Sequence, residues 1–316
     1  MADQNFHPVP VILDTDPGTD DALAILLALA SPELEMKALT VVGGNVGLEH
    51  TLRNALALAA LAGASIPVHP GANQPLMGHH YTGAPDIHGV DGLAGVDMPE
   101  PSLFSSPRMA SSLLAADAIR AILRDSEKPV TLVGIGPATN LALALATEPT
   151  LCANIDQIVL MTGSAGRGNV TPYAEFNAWS DPEALSILIT SGVSVVLVTL
   201  DLTRQARITP ERITRLREYG TGRALATACD ILSRVPLTEQ GGEPLHDPCA
   251  IAWLVAPHLF TTRPVDVSVI HEAGERRGQT MISHAGETSS GQITMLDTMD
   301  AEGFFTLLGN RLARLP

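Results

Sequence analysis

Apolar and polar positions along the chain alternate between two periods. Short runs rich in β-branched residues, apolar on both faces, give way repeatedly to longer alanine- and leucine-rich stretches with helical spacing. Val9 to Asp14 reads as a strand and Asp20 to Ala30 as a helix, and Met36 to Gly43 with Leu48 to Gly63 repeats the pair. Further apolar strands are predicted at Val130 to Ile135, Gln157 to Met161 and Val193 to Leu200, each with a helical pattern nearby. Such a series predicts an α/β fold, an open, mostly parallel sheet with helices on both faces. Closely spaced strands replace the alternation from Val265 to Thr298, and a helix from about Asp300 to Leu312 follows. No internal repeat, low-complexity tract or charged linker divides the sequence, so residues 1–316 are expected to form a single domain.

Two segments are too long and too rich in glycine and proline to be simple connections, residues 70–107 and 162–180. Long loops in compact domains are often lids or binding loops. The segment 203–244 differs, being helical at Pro210 to Tyr219 and Arg223 to Arg234 before it loosens at Pro236 to Pro244. It reads as a helical insertion placed to cover a site.

Composition narrows the partners. With 45% hydrophobic against 17% charged residues the chain is globular in character, and its net charge of −15 opposes binding to nucleic acid. No apolar run approaches the roughly 18 to 20 residues that cross a bilayer, so no membrane is expected. The start MADQNFHPVP lacks a basic region, and Asp14 and Asp16 break the apolar stretch behind it, which argues against a signal peptide. Cys152, Cys229 and Cys249 are odd in number and lack CxxC spacing, so the expectation is a reducing cytoplasm with each cysteine a small core residue.

The chemistry concentrates after the first strand, where Asp14, Asp16, Asp20 and Asp21 fall within eight residues of a strand-to-helix turn. Two like charges about 5 Å apart repel by roughly 3 kcal/mol at an effective dielectric near 20. A cation or a proton would relieve that cost. Helix capping accounts for Thr19 or Asp20 but hardly for four carboxylates. Oxygen ligands favour Ca²⁺ or Mg²⁺ over zinc. An EF-hand fails because the glycine falls fifth rather than sixth, and a P-loop fails because no Gly-Lys-Ser/Thr follows. In an open parallel sheet, ligands sit beyond the carboxyl ends of the strands. There the sequence would also place Asn45, the stretch Gly134 to Asn140, then Asn169, Glu175 and Asn177. Asp247 opens a helical pattern before Pro248, where a capping role competes with metal binding.

These residues resemble the inosine-uridine-preferring nucleoside hydrolase family over nearly the whole chain. DTDPGTDDALAILLA is similar to its N-terminal aspartate motif, VVGGN to its second-strand asparagine motif, and AEFNAWSDPEA and HDPCA to its later ones. The resemblance implies a Rossmann-like sheet, a Ca²⁺ ion, a nucleoside substrate and a homodimer or homotetramer. It implies metal ligation by Asp16, Asp21, Asp247 and the backbone carbonyl of Ile135, and ribose contacts from Asp20, Asn45, Met161, Asn169, Glu175 and Asn177. His88 matches a family histidine on the first long loop, and Phe176 is placed to line the ribose pocket. Ca²⁺ polarises water less than zinc does, so a carboxylate is required as general base, and Asp16 is the candidate.

The base side departs from the family pattern. Broadly acting members carry aromatic or arginine residues on the helical segment before HDPCA, whereas Cys229 to Leu245 holds no aromatic residue. The purine-specific branch tends to place tryptophan where this chain has His246. Aromatic candidates at the mouth are Tyr81, Tyr173 and Phe176, while His79 and His80 lack a third partner for zinc. The reading is therefore hydrolysis of pyrimidine ribonucleosides, with His246 aiding departure of the base. Alternatives are a purine or broad-specificity hydrolase, an Mg²⁺ phosphatase with Asp14 as nucleophile, and a non-catalytic ribose- or Ca²⁺-binding protein.

Overall fold

Strands apolar on both faces need cover on both sides, and the computed structural model shows how this chain supplies it. It describes residues 7–77, 83–98, 113–236, 242–286 and 292–316. Tyr81, His79, His80 and part of the first long loop lie outside the described residues.

The strands in chain order are β1 (Val9–Thr15), β2 (Leu34–Val41), β3 (Val68–Pro70), β4 (Val130–Gly134), β5 (Ile155–Met161) and β6 (Val195–Val198). Then follow β7 (Arg207–Ile208), β8 (Glu243–Pro244), β9 (Phe260–Val269), β10 (Thr280–His284) and β11 (Ile293–Met299). Nine of them form one sheet in the order β10-β9-β11-β6-β5-β4-β1-β2-β3, and β7 pairs with β8 separately. From β3 to β11 neighbours run parallel, while β9 lies antiparallel to both β11 and β10. The mostly parallel α/β expectation holds.

The strand order reverses between β1 and β4. Chain connections run outward from β1 through β2 to β3, then return to β4 and proceed the other way. Helices on either side of such a reversal diverge and leave a crevice at the strands' carboxyl ends. Two apolar layers cover the sheet, one built around the helix Thr19–Leu29 and the other around Thr139–Thr147 and Pro182–Ile189. Phe304, on the helix Ala301–Leu312, is fully buried in the first.

Three local readings need correction. The residue before the first helix is Gly18, and neither Thr19 nor Asp20 caps it; instead the Gly18 amide donates to Asp21 Oδ2 at 3.0 Å. Cys152 is only partly buried, unlike Cys229 and Cys249, because the short 3₁₀ turn Pro149–Asn154 holds it at the edge of the core. Residues 162–180 are not all loop, since Phe176–Ser180 forms a helical turn capped by the Glu175 carboxylate.

Asp14 fastens the sheet near the reversal. Thr40 Oγ1 donates to its Oδ1 at 2.6 Å and Asn140 Nδ2 to the same oxygen at 2.8 Å, joining β1, β2 and the helix after β4. Burial raises its pKa to about 7, and Oδ2 has no hydrogen-bond partner among the described residues. Asp14→Asn keeps the shared acceptor and removes a buried charge, so its unfolding free energy in urea should stay within about 1 kcal/mol of the parent. Asp14→Ala strands two buried donors and should cost about 1–3 kcal/mol or more. Equal losses in the two variants would show that the shared acceptor is not what matters.

Candidate active site

The turn after β1 carries Asp16, Asp20 and Asp21 to the crevice, and the carboxylates of Asp16 and Asp21 are positioned by backbone and side-chain donors. Asp21 Oδ1 accepts from Thr15 Oγ1 at 2.6 Å, and its Oδ2 from Asn45 Nδ2 at 3.0 Å. Asp16 Oδ2 accepts from the Asn45 amide at 2.8 Å, whereas its Oδ1 is buried without a partner among the described residues. A Cβ added at Gly44 or at Gly136 would collide with the Asp16 carboxylate. Glycine at these positions lets the loops after β2 and β4 close upon it.

Asp247 arrives from the far end of the chain, immediately before the helix Pro248–Val255. Its side chain makes no capping bond, so the competing capping role is not the one it plays. Oxygens of Asp20, Asp21 and Asp247 lie within 4.8 Å of one another. Burial raises the pKa of Asp16, Asp21 and Asp247, and neighbouring aspartate charges raise each further. Oxygen-only donors, mutual repulsion and a buried unpartnered oxygen are the properties of a hard divalent cation site.

Beside the carboxylates lies a cavity of about 710 Å³. Its wall includes Asp20, Asn45, His88, Ile135, Met161, Asn169, Glu175, Phe176, Asn177, His246 and Asp247. Asp16 and Asp21 stand behind that surface, linked to it by Asn45. Residues singled out from sequence thus converge from seven separate segments, around positions 16–21, 45, 88, 135, 161, 169–177 and 246–247.

Hydrogen bonds define what each wall residue has left to offer. Asn177 Nδ2 donates to the carbonyls of Ile135 and Met161, both at 2.9 Å, holding the ends of β4 and β5 together. Asn169 Oδ1 accepts from the Phe176 amide at 2.9 Å, and its amino group has no partner among the described residues. The Thr19 amide donates to His88 Nδ1 at 3.1 Å, so that nitrogen is an acceptor and the ring proton belongs on Nε2. His88 is buried, not a solvated loop residue. Thr203 Oγ1 lies 2.7 Å from His246 Nδ1, and burial is the main influence lowering the His246 pKa.

The segment 203–244 and the residues flanking it supply more of the wall. Leu200, Arg204, Arg207, Ile208, Leu232, Val235, Glu243 and Leu245 border the cavity, and sequence reasoning had named none of them individually. Arg204 also ties the second long loop to this wall, donating to the carbonyls of Arg167 at 2.7 Å and Gly168 at 3.1 Å. Tyr173 is exposed and sits under Arg276, 5.5 Å from the ring centroid, outside the cavity wall.

Comparison with known proteins accords with this geometry. The family model described as inosine-uridine preferring nucleoside hydrolase matches residues 11–306. The chain belongs to that family. This hydrolase is 43% identical over 313 residues to the pyrimidine-specific ribonucleoside hydrolase RihA of Klebsiella pneumoniae strain 342, covering 96% of this chain and 98% of the relative. It is 43% identical over 311 residues to the RihA of Photobacterium profundum, with the same coverage of each chain. Among solved structures, the purine-preferring ribonucleoside hydrolase from Gardnerella vaginalis superposes with a TM-score of 0.86 at 34% identity, over 96% of this chain and 98% of that one. The hydrolase is therefore an N-ribohydrolase whose substrate is a nucleoside, from a metal-dependent family. Among the described residues no helix is long and apolar enough to cross a membrane.

Glu175 offers a test of how the wall is held. Its carboxylate accepts from the amides of Gly163, Asn177 and Ala178 at 2.8–2.9 Å and from Thr162 Oγ1 at 3.2 Å. Glu175→Gln turns an amino group toward these donors and should lower stability by about 1–3 kcal/mol while also reducing activity. Unchanged stability in urea would show that ligand contact is its only role.

Proposed function

We propose that this hydrolase cleaves pyrimidine ribonucleosides with the help of Ca²⁺, and that Asp16, Asp21, Asp247 and the Ile135 carbonyl hold the ion. The observation that carries the reading is the carboxylate cluster of Asp20, Asp21 and Asp247, with the buried Asp16 carboxylate behind it, beside a cavity of about 710 Å³ that is large enough for a nucleoside. A bound Ca²⁺ supplies positive charge that neutralises the cluster and favours ionised water and aligned ribose hydroxyls.

The chain's own residues perform the remaining work. Asp20, Asn45 and Asn169 bind the ribose hydroxyls, and Glu175, Phe176, Asn177 and Met161 shape the sugar end. Asp16, whose Oδ1 has no donor among the described residues, takes a proton from the attacking water. Water entering opposite the base inverts the anomeric carbon, as in inverting glycosidases. His88 is oriented by Thr19 to donate from Nε2. His246, held through Nδ1 by Thr203, donates toward the departing base.

Pyrimidine preference is supported by the RihA relatives and by the aliphatic wall of Ile208, Leu232 and Val235, which offers no aromatic surface for a purine. The Gardnerella relative's name points to purines, at lower identity. Steady-state ribose release from uridine, cytidine, inosine and adenosine should show higher kcat/KM for the pyrimidines. Chelation should abolish it and Ca²⁺ restore it. Preference for inosine or adenosine would overturn the base assignment, and full activity after exhaustive chelation the metal.

A p-nitrophenyl riboside separates the two proposed proton-transfer groups, because its leaving group needs no proton. Asp16→Asn should lose about 10²- to 10⁴-fold in kcat on it and on uridine alike. His246→Ala should lose far more on uridine than on the aryl riboside. Equal losses on both substrates in His246→Ala would assign that residue to structure or ribose binding.

A further inference from the structure

Glu243 is a carboxylate that borders the cavity from the segment 203–244, together with Ile208, Leu232 and Val235. Its backbone is fixed. Ile208 and Glu243 face each other in the β7–β8 pair, the Leu245 amide extends the pairing by donating to the Ala206 carbonyl at 2.9 Å, and Arg207 Nη1 donates to the Gly242 carbonyl at 3.1 Å. A Cβ at Gly242 would lie 2.7 Å from the Ile208 carbonyl oxygen, so the close approach of the two strands requires glycine there.

The Glu243 side chain is partly buried, borders the same wall as Ile208, Leu232 and Val235, and receives no hydrogen bond from a described residue. Burial and the Asp20 charge raise its pKa, with Arg207 opposing the shift. An acceptor half-removed from water gains most from a ligand that brings an N–H. Of the groups on a nucleoside, the base edge is the part that differs in this respect. Cytosine and adenine carry an exocyclic amino group where uracil and hypoxanthine carry a carbonyl, whose lone pairs repel a carboxylate.

We propose that Glu243 determines base selectivity by accepting a hydrogen bond from an exocyclic amino group, favouring cytidine over uridine and adenosine over inosine. The inference rests on the base lying against the insertion, as the proposed function has it, and concerns the base edge independently of ring size.

The test is kcat/KM for all four nucleosides in the parent enzyme, Glu243→Ala and Glu243→Gln at mildly alkaline pH, with Ca²⁺ present. The cytidine-to-uridine ratio should exceed one in the parent and fall about tenfold or more in Glu243→Ala. It should fall at least as far in Glu243→Gln, whose amide can donate to a carbonyl. The adenosine-to-inosine ratio should move the same way. These ratios do not depend on how much of a variant folds. Unchanged ratios in both variants, or a parent that favours uridine, would overturn the proposal. Higher rates for purines than for pyrimidines would instead overturn the pyrimidine reading and leave the amino-group selectivity to be read from adenosine against inosine.

Discussion

Like charges crowd together at the carboxyl ends of β1 and β4, and much of the surrounding structure exists to hold them there. Asp16, Asp21 and Asp247 are almost wholly buried, and Asp20 stands partly buried between them and the cavity. Their repulsion and desolvation act against the fold, as the raised pKa of each buried member records. Thr15, Gly18 and Asn45 offset part of that cost by donating hydrogen bonds, and glycines at 44 and 136 let the neighbouring loops close without displacing Asp16. Hydrogen bonds from the described residues leave Asp16 Oδ1 unpartnered, and the neighbouring oxygens of Asp20, Asp21 and Asp247 could hold a metal ion.

The topology explains why that burden falls where it does. A reversal in strand order between β1 and β4 opens a crevice, and the residue just beyond each strand end is directed toward it. Asn177 clamps the ends of β4 and β5, and Glu175 gathers three amides, so this part of the cavity wall is built from elements with little freedom. The insertion provides a less polar wall, anchored by Arg204 to the loop that carries Asn169. Polar groups such as Asn169 and Glu175 and the apolar side chains of Ile208, Leu232 and Val235 border the same cavity, which suits a ligand with both a sugar and a base.

Much of this was legible in the sequence. Alternating periods revealed the parallel sheet, and four aspartates within eight residues could not all be caps. The four motifs in family order then pointed to residues that the fold gathers in and behind the wall of one cavity. Other features are three-dimensional. The contact of Thr19 with His88 spans 69 positions, and the bond from Asn140 to Asp14 spans 126, so neither leaves a local pattern. Arg204 and Glu243 were missed because charged residues in a helical insertion look like a solvated face until β7 and β8 pair. Asp247 was ambiguous because Asp before Pro is also a common helix start, and only the missing capping bond decides against that role.

The central claim, that a divalent cation neutralises these carboxylates, is tested most directly by thermal unfolding of the chelated protein titrated with Ca²⁺. A ligand bound only by the folded state raises stability by RT ln(1 + [L]/Kd), about 2.7 kcal/mol at a hundredfold excess over Kd. The account predicts a melting temperature that climbs with Ca²⁺ concentration, and a climb that is lost or greatly weakened in Asp21→Asn and Asp247→Asn. A melting temperature indifferent to Ca²⁺ and to the other divalent cations, in protein that still hydrolyses nucleosides, would contradict it.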